Sequence, residues 1–297
     1  MTLSRAIRLL IAVVVVAMIA LYVRDFDWAA IGDYARHASI PLLAVATLGN
    51  LPLIWMKALR LRTLVTGSLS TPRLMRIYVA SYAADNLLMS QAGIGVRVAL
   101  LARDGVALAA AVTTQVVEKV LEGIGLAVIA LPLLGWDDLD GPLRTTLKIC
   151  LGLGAGGAVA LAGLALVRGA RSENRIVKRV AEVAAVLRRP GPTAQVMAFT
   201  LAAWAVEYAM IVASLAAVGL ELDPLLPLAV LVAVNLAALI PGLPANIGPF
   251  EMACVVVLGA AGVSQSHALG FAILYHVLHT LPVTVAGLAA PIRQRST

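Results

Sequence analysis

The residues of this chain that are best suited to chemistry lie in short polar interruptions between apolar segments. In the first interruption, Gly93 and Gly95 precede Arg97 at the start of a short apolar segment. If that segment is a helix, its first turn offers free backbone N–H groups and a partial positive charge, and the Arg97 guanidinium adds donors that suit a phosphate. We therefore expect an anion site here, for example for a lipid phosphate. The structural alternatives are that Arg97 extends to the cytoplasmic interface or pairs with Asp85.

The second candidate is a pair of acidic residues deep within a long apolar segment. Glu118 and Glu122 are four residues apart and share one face of a helix, whereas Lys119 points about 100° away. Charged groups are costly inside a bilayer, so such residues are functional candidates. One glutamate is placed to neutralise Arg97 and the other to act as a proton relay; the alternative is a structural clamp between helices. A metal site would need a third ligand, and none is near in the sequence.

The third candidate is a polar turn that contains Asn246 and Gly248, followed by Pro249 and Glu251. Proline suits the first turn of a helix, where its missing N–H costs nothing. An acidic residue in the same turn interacts favourably with the helix dipole. We expect this turn to expose backbone groups in a central cavity, with Glu251 as counter-charge. The alternative is that Glu251 only caps a helix at an interface.

The fourth candidate lies in the last apolar segment, where His276 and His279 are three residues apart and share a helical face beside Tyr275. Histidine titrates near neutral pH, so a ligand or proton-relay role is one interpretation. Packing within the core is the other. Further polar candidates in apolar surroundings are Asn86, Gln91, Glu207 and Asn235.

Composition places all of these residues in a membrane protein. Of 297 residues, 61% are hydrophobic and 13% charged, and the mean hydropathy is +0.94. An ordinary soluble domain has about 45–50% apolar and 25% charged residues. The net charge is +7. In a membrane protein, an excess of Lys and Arg reports the topology and favours contact with an anionic leaflet, so nucleic acid is not an expected partner. Cys150 and Cys254 lie in apolar segments and are interpreted as packing residues.

The apolar segments predict an all-α, polytopic helical bundle. Full spans need about 20 apolar residues, and six segments qualify: 6–23 (an uncleaved anchor), 40–56, 106–134, 147–167, 196–218 and 268–290. Two further regions, 74–102 and 225–261, each contain a Gly- or Pro-rich break followed by a short apolar piece. Such a pattern is typical of broken or re-entrant helices that line a cavity.

The distribution of charges predicts how these segments are arranged. Lys and Arg are concentrated at both termini, in 57–76 and in 168–189, which we place in the cytoplasm, whereas the acidic loops at 137–140 and 221–223 face outward. This requires the two hairpins to enter from opposite sides, as in an inverted repeat. We expect a single domain, 1–297, in which the basic cytoplasmic loop 168–192 joins the two half-repeats.

Several motifs resemble a known family. They are Asn86-Leu87-Leu88, Gly93, Arg97 with Leu100-Leu101, Gly105-Val106, Glu118-Lys119 with Glu122, then Pro244, Asn246, Ile247, Gly248, Phe250 and Glu251, and finally His276. Together they resemble the integral-membrane family that includes the transmembrane domain of lysylphosphatidylglycerol synthases, often called flippase-like. The resemblance covers most of the chain from about residue 41 onward. The soluble aminoacyl-transferase domain of the bifunctional synthases has no counterpart in this sequence, so lysyl transfer is not implied.

The resemblance implies a lipid translocator of the cell inner membrane. Its expected cargo is an anionic or zwitterionic phospholipid or a polyprenyl lipid, with no cofactor, no metal, and a homodimer or a lipid-synthesis enzyme as possible partners. The site residues would be Asn86, Gln91, Gly93, Gly95, Arg97, Glu118, Glu122, Asn235, Asn246, Gly248, Glu251 and His276. Proton coupling through Glu118, Glu122 or His276 is a further hypothesis. The alternatives are a membrane-embedded lipid-modifying enzyme and a non-catalytic subunit of a lipid-synthesis complex.

Overall fold

The structure, a computed structural model, describes residue 32 and residues 36–65, 69–88, 91–136, 141–166, 175–220, 223–240 and 244–290, with only the backbone for 175–180. The regular structure in these ranges is helical. The α-helices are α1 (Ile40–Leu48), α2 (Asn50–Leu64), α3 (Thr71–Leu87), α4 (Ala92–Arg103), α5 (Leu108–Ile129), α6 (Gly141–Leu166), α7 (Arg175–Leu187), α8 (Pro190–Ala217), α9 (Leu225–Ala237), α10 (Pro249–Ala260) and α11 (Gln265–Ala289). Short 3₁₀ turns occupy Leu131–Gly135 and Pro244–Asn246.

Four helical stretches are long and apolar enough to cross a membrane: Ile40–Leu64, Gly141–Leu166, Pro190–Ala217 and Gln265–Ala289. They correspond to four of the six expected spans. A fifth, 106–134, contains the 22-residue helix α5, which is about 33 Å long but carries three charged residues. The sixth expected span, 6–23, and the acidic loop 137–140 lie outside the described residues. Multiple membrane helices are therefore present, and the total of six remains a prediction.

Both regions with an expected break contain two packed helices. The first hairpin is α3 with α4, and the second is α9 with α10; the helices of each pair pack against one another. These helices have 12 to 17 residues, fewer than a full span needs. The opposite orientation of the two hairpins remains a prediction.

The second helix of each hairpin has the same length and the same ending. Helices α4 and α10 both have 12 residues, and each is followed by a glycine with positive φ, 92° at Gly105 and 83° at Gly262. In both, the glycine N–H donates three residues back and the next N–H, of Val106 or Val263, donates five residues back. This is the Schellman arrangement, which needs the left-handed conformation that glycine adopts without strain. The next helix begins three residues after each glycine.

The core of the bundle surrounds α9. Residues 226–234 are all buried, as expected for a helix that is apolar on every side. Helix α6, by contrast, buries only Leu143, Leu147, Cys150 and Gly154, which form one stripe against α5. Most of its other residues are exposed, consistent with contact with lipid. Within the region expected as the basic cytoplasmic loop, residues Arg175–Leu187 form helix α7.

Candidate functional site

A cavity of about 220 Å³ lies between the two hairpins and helices α2, α5, α8 and α11. Its wall contains three basic residues, Lys57, Arg97 and Lys119, and three acidic residues, Asp85, Glu122 and Glu207. Of the twelve residues expected in the site, Asn86, Gln91, Arg97, Glu122, Asn235 and His276 line this cavity. The other six, Gly93, Gly95, Glu118, Asn246, Gly248 and Glu251, do not line it.

Beside the cavity, four basic side chains surround two glutamates on α5. We call this group, comprising Lys57, Arg60, Arg97, Lys119, Glu118 and Glu122, the charge cluster. Arg60 donates from Nε to Glu118 Oε1 at 3.1 Å and from Nη2 to Glu122 Oε1 at 2.8 Å. Lys57 and Lys119 lie 3.7 and 3.3 Å from Glu122. Because two carboxylates face four cations, this side of the cavity carries an excess of positive charge.

Glu118 is the centre of the charge cluster rather than an exposed binding group. Its side chain is 2% exposed. Besides the bond from Arg60, it accepts hydrogen bonds from the Tyr78 hydroxyl and from the Gln115 amide, and its Oε2 lies 3.6 Å from Arg97 Nη1. The expected neutralisation of Arg97 by a glutamate is therefore present, with Glu118 as the partner.

Arg97 is held from several directions. It donates to Ser81 Oγ at 3.2 and 3.0 Å and to Gln115 Oε1 at 3.1 Å, and its guanidinium lies 4.1 Å from the centre of the Tyr78 ring. It is buried and has no ion pair with Asp85 among those the described residues form. Since its donors are largely occupied, Arg97 contributes charge to the cavity wall and has little freedom to reach a ligand.

The two glycines before Arg97 have different roles. Gly93 is buried, and its N–H donates to Asp85 Oδ1 at 2.7 Å. A Cβ at this position would overlap the carbonyl oxygen of Ser81 and the Asp85 carboxylate, whereas a Cβ at Gly95 would meet open space. Gly93 therefore allows α4 to approach α3 closely, and the free N–H that the sequence suggested for an anion is taken by Asp85.

His276 of α11 binds both the polar turn of the second hairpin and the start of α10. Its Nδ1 lies 2.6 Å from Glu251 Oε1 and its Nε2 lies 2.9 Å from the carbonyl oxygen of Ala245. The other oxygen of Glu251 accepts the Gly248 N–H at 2.7 Å. Glu251 thus caps α10 and also binds the histidine, and the role as a counter-charge in the cavity remains a prediction.

Amides connect the hairpins to the long helices. Asn86 on α3 donates to Thr284 Oγ1 of α11 at 2.7 Å, and Asn235 on α9 donates to Glu207 Oε1 of α8 at 2.9 Å. Gln91 has a left-handed backbone conformation and donates weakly to the carbonyl oxygen of Ala238, at 3.4 Å. These bonds place one amide from each hairpin against a long helix.

Three polar groups near the cavity are buried without a partner in the described part of the chain. They are the hydroxyl of Tyr275, Nδ1 of His279 and the side-chain amide of Asn246. Tyr275 and His279 belong to the cavity wall. A buried polar atom without a hydrogen bond is costly, so these atoms mark places where the packing around the cavity leaves polar groups unsatisfied.

Reasoning from the sequence did not identify two residues of the charge cluster as site residues. Lys57 and Arg60 were placed in a cytoplasmic flank, yet Arg60 is 1% exposed and Lys57 donates to the Tyr82 hydroxyl at 2.9 Å inside the cavity wall. A signal was available: they are three residues apart on one helical face. Two inward-facing cations are also the natural counterpart of Glu118 and Glu122.

A bundle of apolar helices with a charged internal cavity defines a multi-pass integral membrane protein. Residues 5–287 match the family of the lysylphosphatidylglycerol synthase TM region. Because the match covers nearly the whole chain, the protein belongs to this family, and the expected membership is confirmed. No curated protein matches the sequence.

Proposed function

We propose that this protein moves a phospholipid or a lipid-linked molecule between the leaflets of the cell inner membrane, with its termini in the cytoplasm. The observation that carries the proposal is the cavity, whose wall combines three cations, three carboxylates and both hairpins. Such a polar site inside a membrane bundle suits a charged headgroup, while the acyl or isoprenoid chains stay in the bilayer. Rocking of one hairpin and its helices against the other would give alternating access.

The charge cluster is suited to the phosphate of the cargo. Lys57 and Lys119 share Glu122 with Arg60, so their charge exceeds what this carboxylate can neutralise. The side chain of Lys119 is 53% exposed, so its ammonium can contact a ligand in addition to Glu122. A lysine ammonium is a common phosphate-binding group.

A different part of the wall is suited to an amine. Within the described residues, Glu207 forms no ion pair, and its one hydrogen bond comes from the neutral Asn235. The side chains of Tyr275 and His279 line the same part of the cavity. A carboxylate without a cationic partner can hold an ammonium, so a zwitterionic headgroup would use both parts of the cavity.

Translocation is tested by substituting the two lysines that line the cavity, Lys57 and Lys119, with glutamine. In proteoliposomes with headgroup-labelled lipids, the wild type is expected to expose inner-leaflet label to a membrane-impermeant quencher. Lys57→Gln combined with Lys119→Gln should reduce the rate by about tenfold or more, as expected for the loss of charge-assisted hydrogen bonds. Lys148→Gln, at an exposed position on α6 outside the cavity, serves as the control and should match the wild type.

The panel should contain phosphatidylglycerol, phosphatidylethanolamine and a polyprenyl phosphate. Movement that is equally fast in the double variant contradicts the phosphate role of the lysines. If the wild type moves none of these lipids, the translocator proposal is wrong, and lipid modification or a subunit role in a lipid-synthesis complex becomes the next hypothesis to test.

Glu207→Gln is expected to change which lipid is preferred. The glutamine oxygen can still accept the bond from Asn235, so the local structure is retained while the negative charge is lost. We expect transport of the amine-bearing lipid to fall about tenfold relative to the anionic lipid, since an ammonium–carboxylate contact is lost. The ratio of the two rates is the measurement, and Asp223→Asn, at an exposed helix-capping position, is the control. An unchanged ratio would exclude Glu207 from headgroup recognition.

A further inference from the structure

The surroundings of His276 require an additional proton. The carbonyl oxygen of Ala245 can only accept, so Nε2, at 2.9 Å, must carry a hydrogen. A neutral imidazole then has a bare Nδ1, which would oppose an ionised Glu251 oxygen at 2.6 Å. Two acceptors cannot approach so closely without a hydrogen between them. The His276–Glu251 pair therefore holds one proton more than a neutral histidine beside a carboxylate.

This proton joins the turn 244–248, which directly precedes α10, to α11. Ala245 and Gly248 both lie in this turn and have positive φ values of 55° and 97°. Ala245 accepts from His276, and Gly248 donates to the second oxygen of Glu251. The imidazole also packs against the ring of Phe250, with ring centres 4.4 Å apart. If the proton leaves, one of the two bonds from the imidazole is lost, and the turn 244–248 and the start of α10 are no longer both bound to α11.

Other titratable groups surround the pair. The helices packed against α11 are α1, α2, α3, α8 and α10. From them, α2 supplies Lys57, α3 supplies Tyr82 and Asp85, and α8 supplies Glu207 to the cavity wall, while α11 itself adds Tyr275 and His279. Helix α10 adds only Glu251 and the buried Cys254, and α1 contains no titratable residue. His276 itself lines the cavity, which gives the pair a route for proton exchange.

The first hairpin has no equivalent group. There the N–H of Gly93 is accepted directly by Asp85, and no histidine takes part among the described residues. The first hairpin is therefore held by a carboxylate within the hairpin itself, whereas the second hairpin is bound to α11 through the histidine–carboxylate pair.

We propose that the His276–Glu251 pair is a proton-binding site that couples proton uptake from the cavity to the attachment of the turn 244–248 to α11. When the turn is attached, imidazolium and carboxylate share the proton. When it detaches, the proton returns to cavity water and leaves a neutral histidine and an ionised glutamate. The coupling rests on the proposed translocation, whereas the binding of the proton does not.

The Glu251→Gln substitution tests the proton because it removes the proton while keeping the hydrogen bonds. The glutamine oxygen can accept the Gly248 N–H, and its amide can donate to Nδ1 of a neutral His276, whose Nε2–H still binds Ala245. All three bonds then persist without a titrating proton. In the proteoliposome assay between about pH 5.5 and 8.5, we expect a wild-type rate that changes up to about tenfold per pH unit and a flat profile for Glu251→Gln.

His267→Gln, which alters an exposed histidine at the start of the same helix, should keep the wild-type profile. A wild-type pH dependence that persists in Glu251→Gln overturns the coupling, as does a wild-type rate independent of pH.

Spectroscopy tests whether the pair is protonated, and it does not depend on a transport assay. ¹⁵N NMR of the His276 ring and the infrared carbonyl band of Glu251, each assigned with the Glu251→Gln variant, should show at neutral pH that the pair carries the proton. The ring is expected to lose one ring proton in the variant. A neutral ring beside an ionised Glu251 in the wild type overturns the proton site. If the wild type moves no lipid but the pair is protonated, translocation fails and the proton site stands.

Discussion

Glu118→Gln is expected to destabilise the protein by about 3–5 kcal/mol, the usual effect of removing one partner from a buried ion pair. Arg60 and Arg97 would lose a shared negative charge although both are largely buried, at 1% and 7% exposed. The amide nitrogen of glutamine would also oppose a donor at whichever position it takes. Its partners there are Arg60 and Tyr78 on one side and Arg97 and Gln115 on the other.

Thermal unfolding in detergent and the amount of protein in the membrane are the measurements. Glu182→Gln changes an exposed glutamate on α7 and should alter stability by no more than about 0.5 kcal/mol. A Glu118→Gln protein as stable as this control would contradict the structural role of the charge cluster. Because folding is affected first, the loss of transport in a Glu118 variant would not by itself locate the binding site.

Gly93→Ala and Gly95→Ala are expected to differ although the two positions are only two residues apart. The first introduces a Cβ that overlaps the backbone oxygen of Ser81, which cannot move unless α3 moves with it. Overpacking of this kind costs about 3 kcal/mol at the upper end of its range. It would also separate Arg97 from its acceptor on Ser81 and break the bond from Gly93 to Asp85.

Gly95→Ala adds a methyl group in open space and replaces glycine within a helix, which favours the helix by up to about 1 kcal/mol. We expect a midpoint of thermal unfolding equal to or slightly above that of the wild type. Equal stability of the two alanine variants would show that α4 does not pack against α3 as described.

Local features were accessible from the sequence because they depend on neighbouring residues. The break before α4 and the break before α10 are marked by glycine and proline. The corresponding ends of the short helices, at Gly105 and Gly262, follow from the same chemistry and recur with the same spacing. Charges at unusual places in apolar segments also located Arg97, the two glutamates on α5 and His276, because their cost in a membrane is high wherever they lie.

The partners of these charges could not be obtained in the same way. Arg60 and Glu118 are 58 residues apart, and His276 and Glu251 are 25 apart, so no periodicity connects them. Lys57 and Arg60 illustrate the difficulty, because a basic residue after an apolar segment has the same sequence context whether it faces the cytoplasm or a cavity. The positive-inside pattern therefore gave no indication that both side chains face other helices, and the cytoplasmic position of this region remains a prediction.

By itself, the sequence determined that this is a helical membrane protein of the lysylphosphatidylglycerol synthase TM region family, with two interrupted regions and a small set of polar residues. Hydropathy, helix capping and motif order are sufficient for this, since each acts over a few residues. Only the tertiary structure decided which polar residues line the cavity and which support it. That division depends on which helices pack together, because burial and hydrogen-bond partners are properties of the assembled bundle.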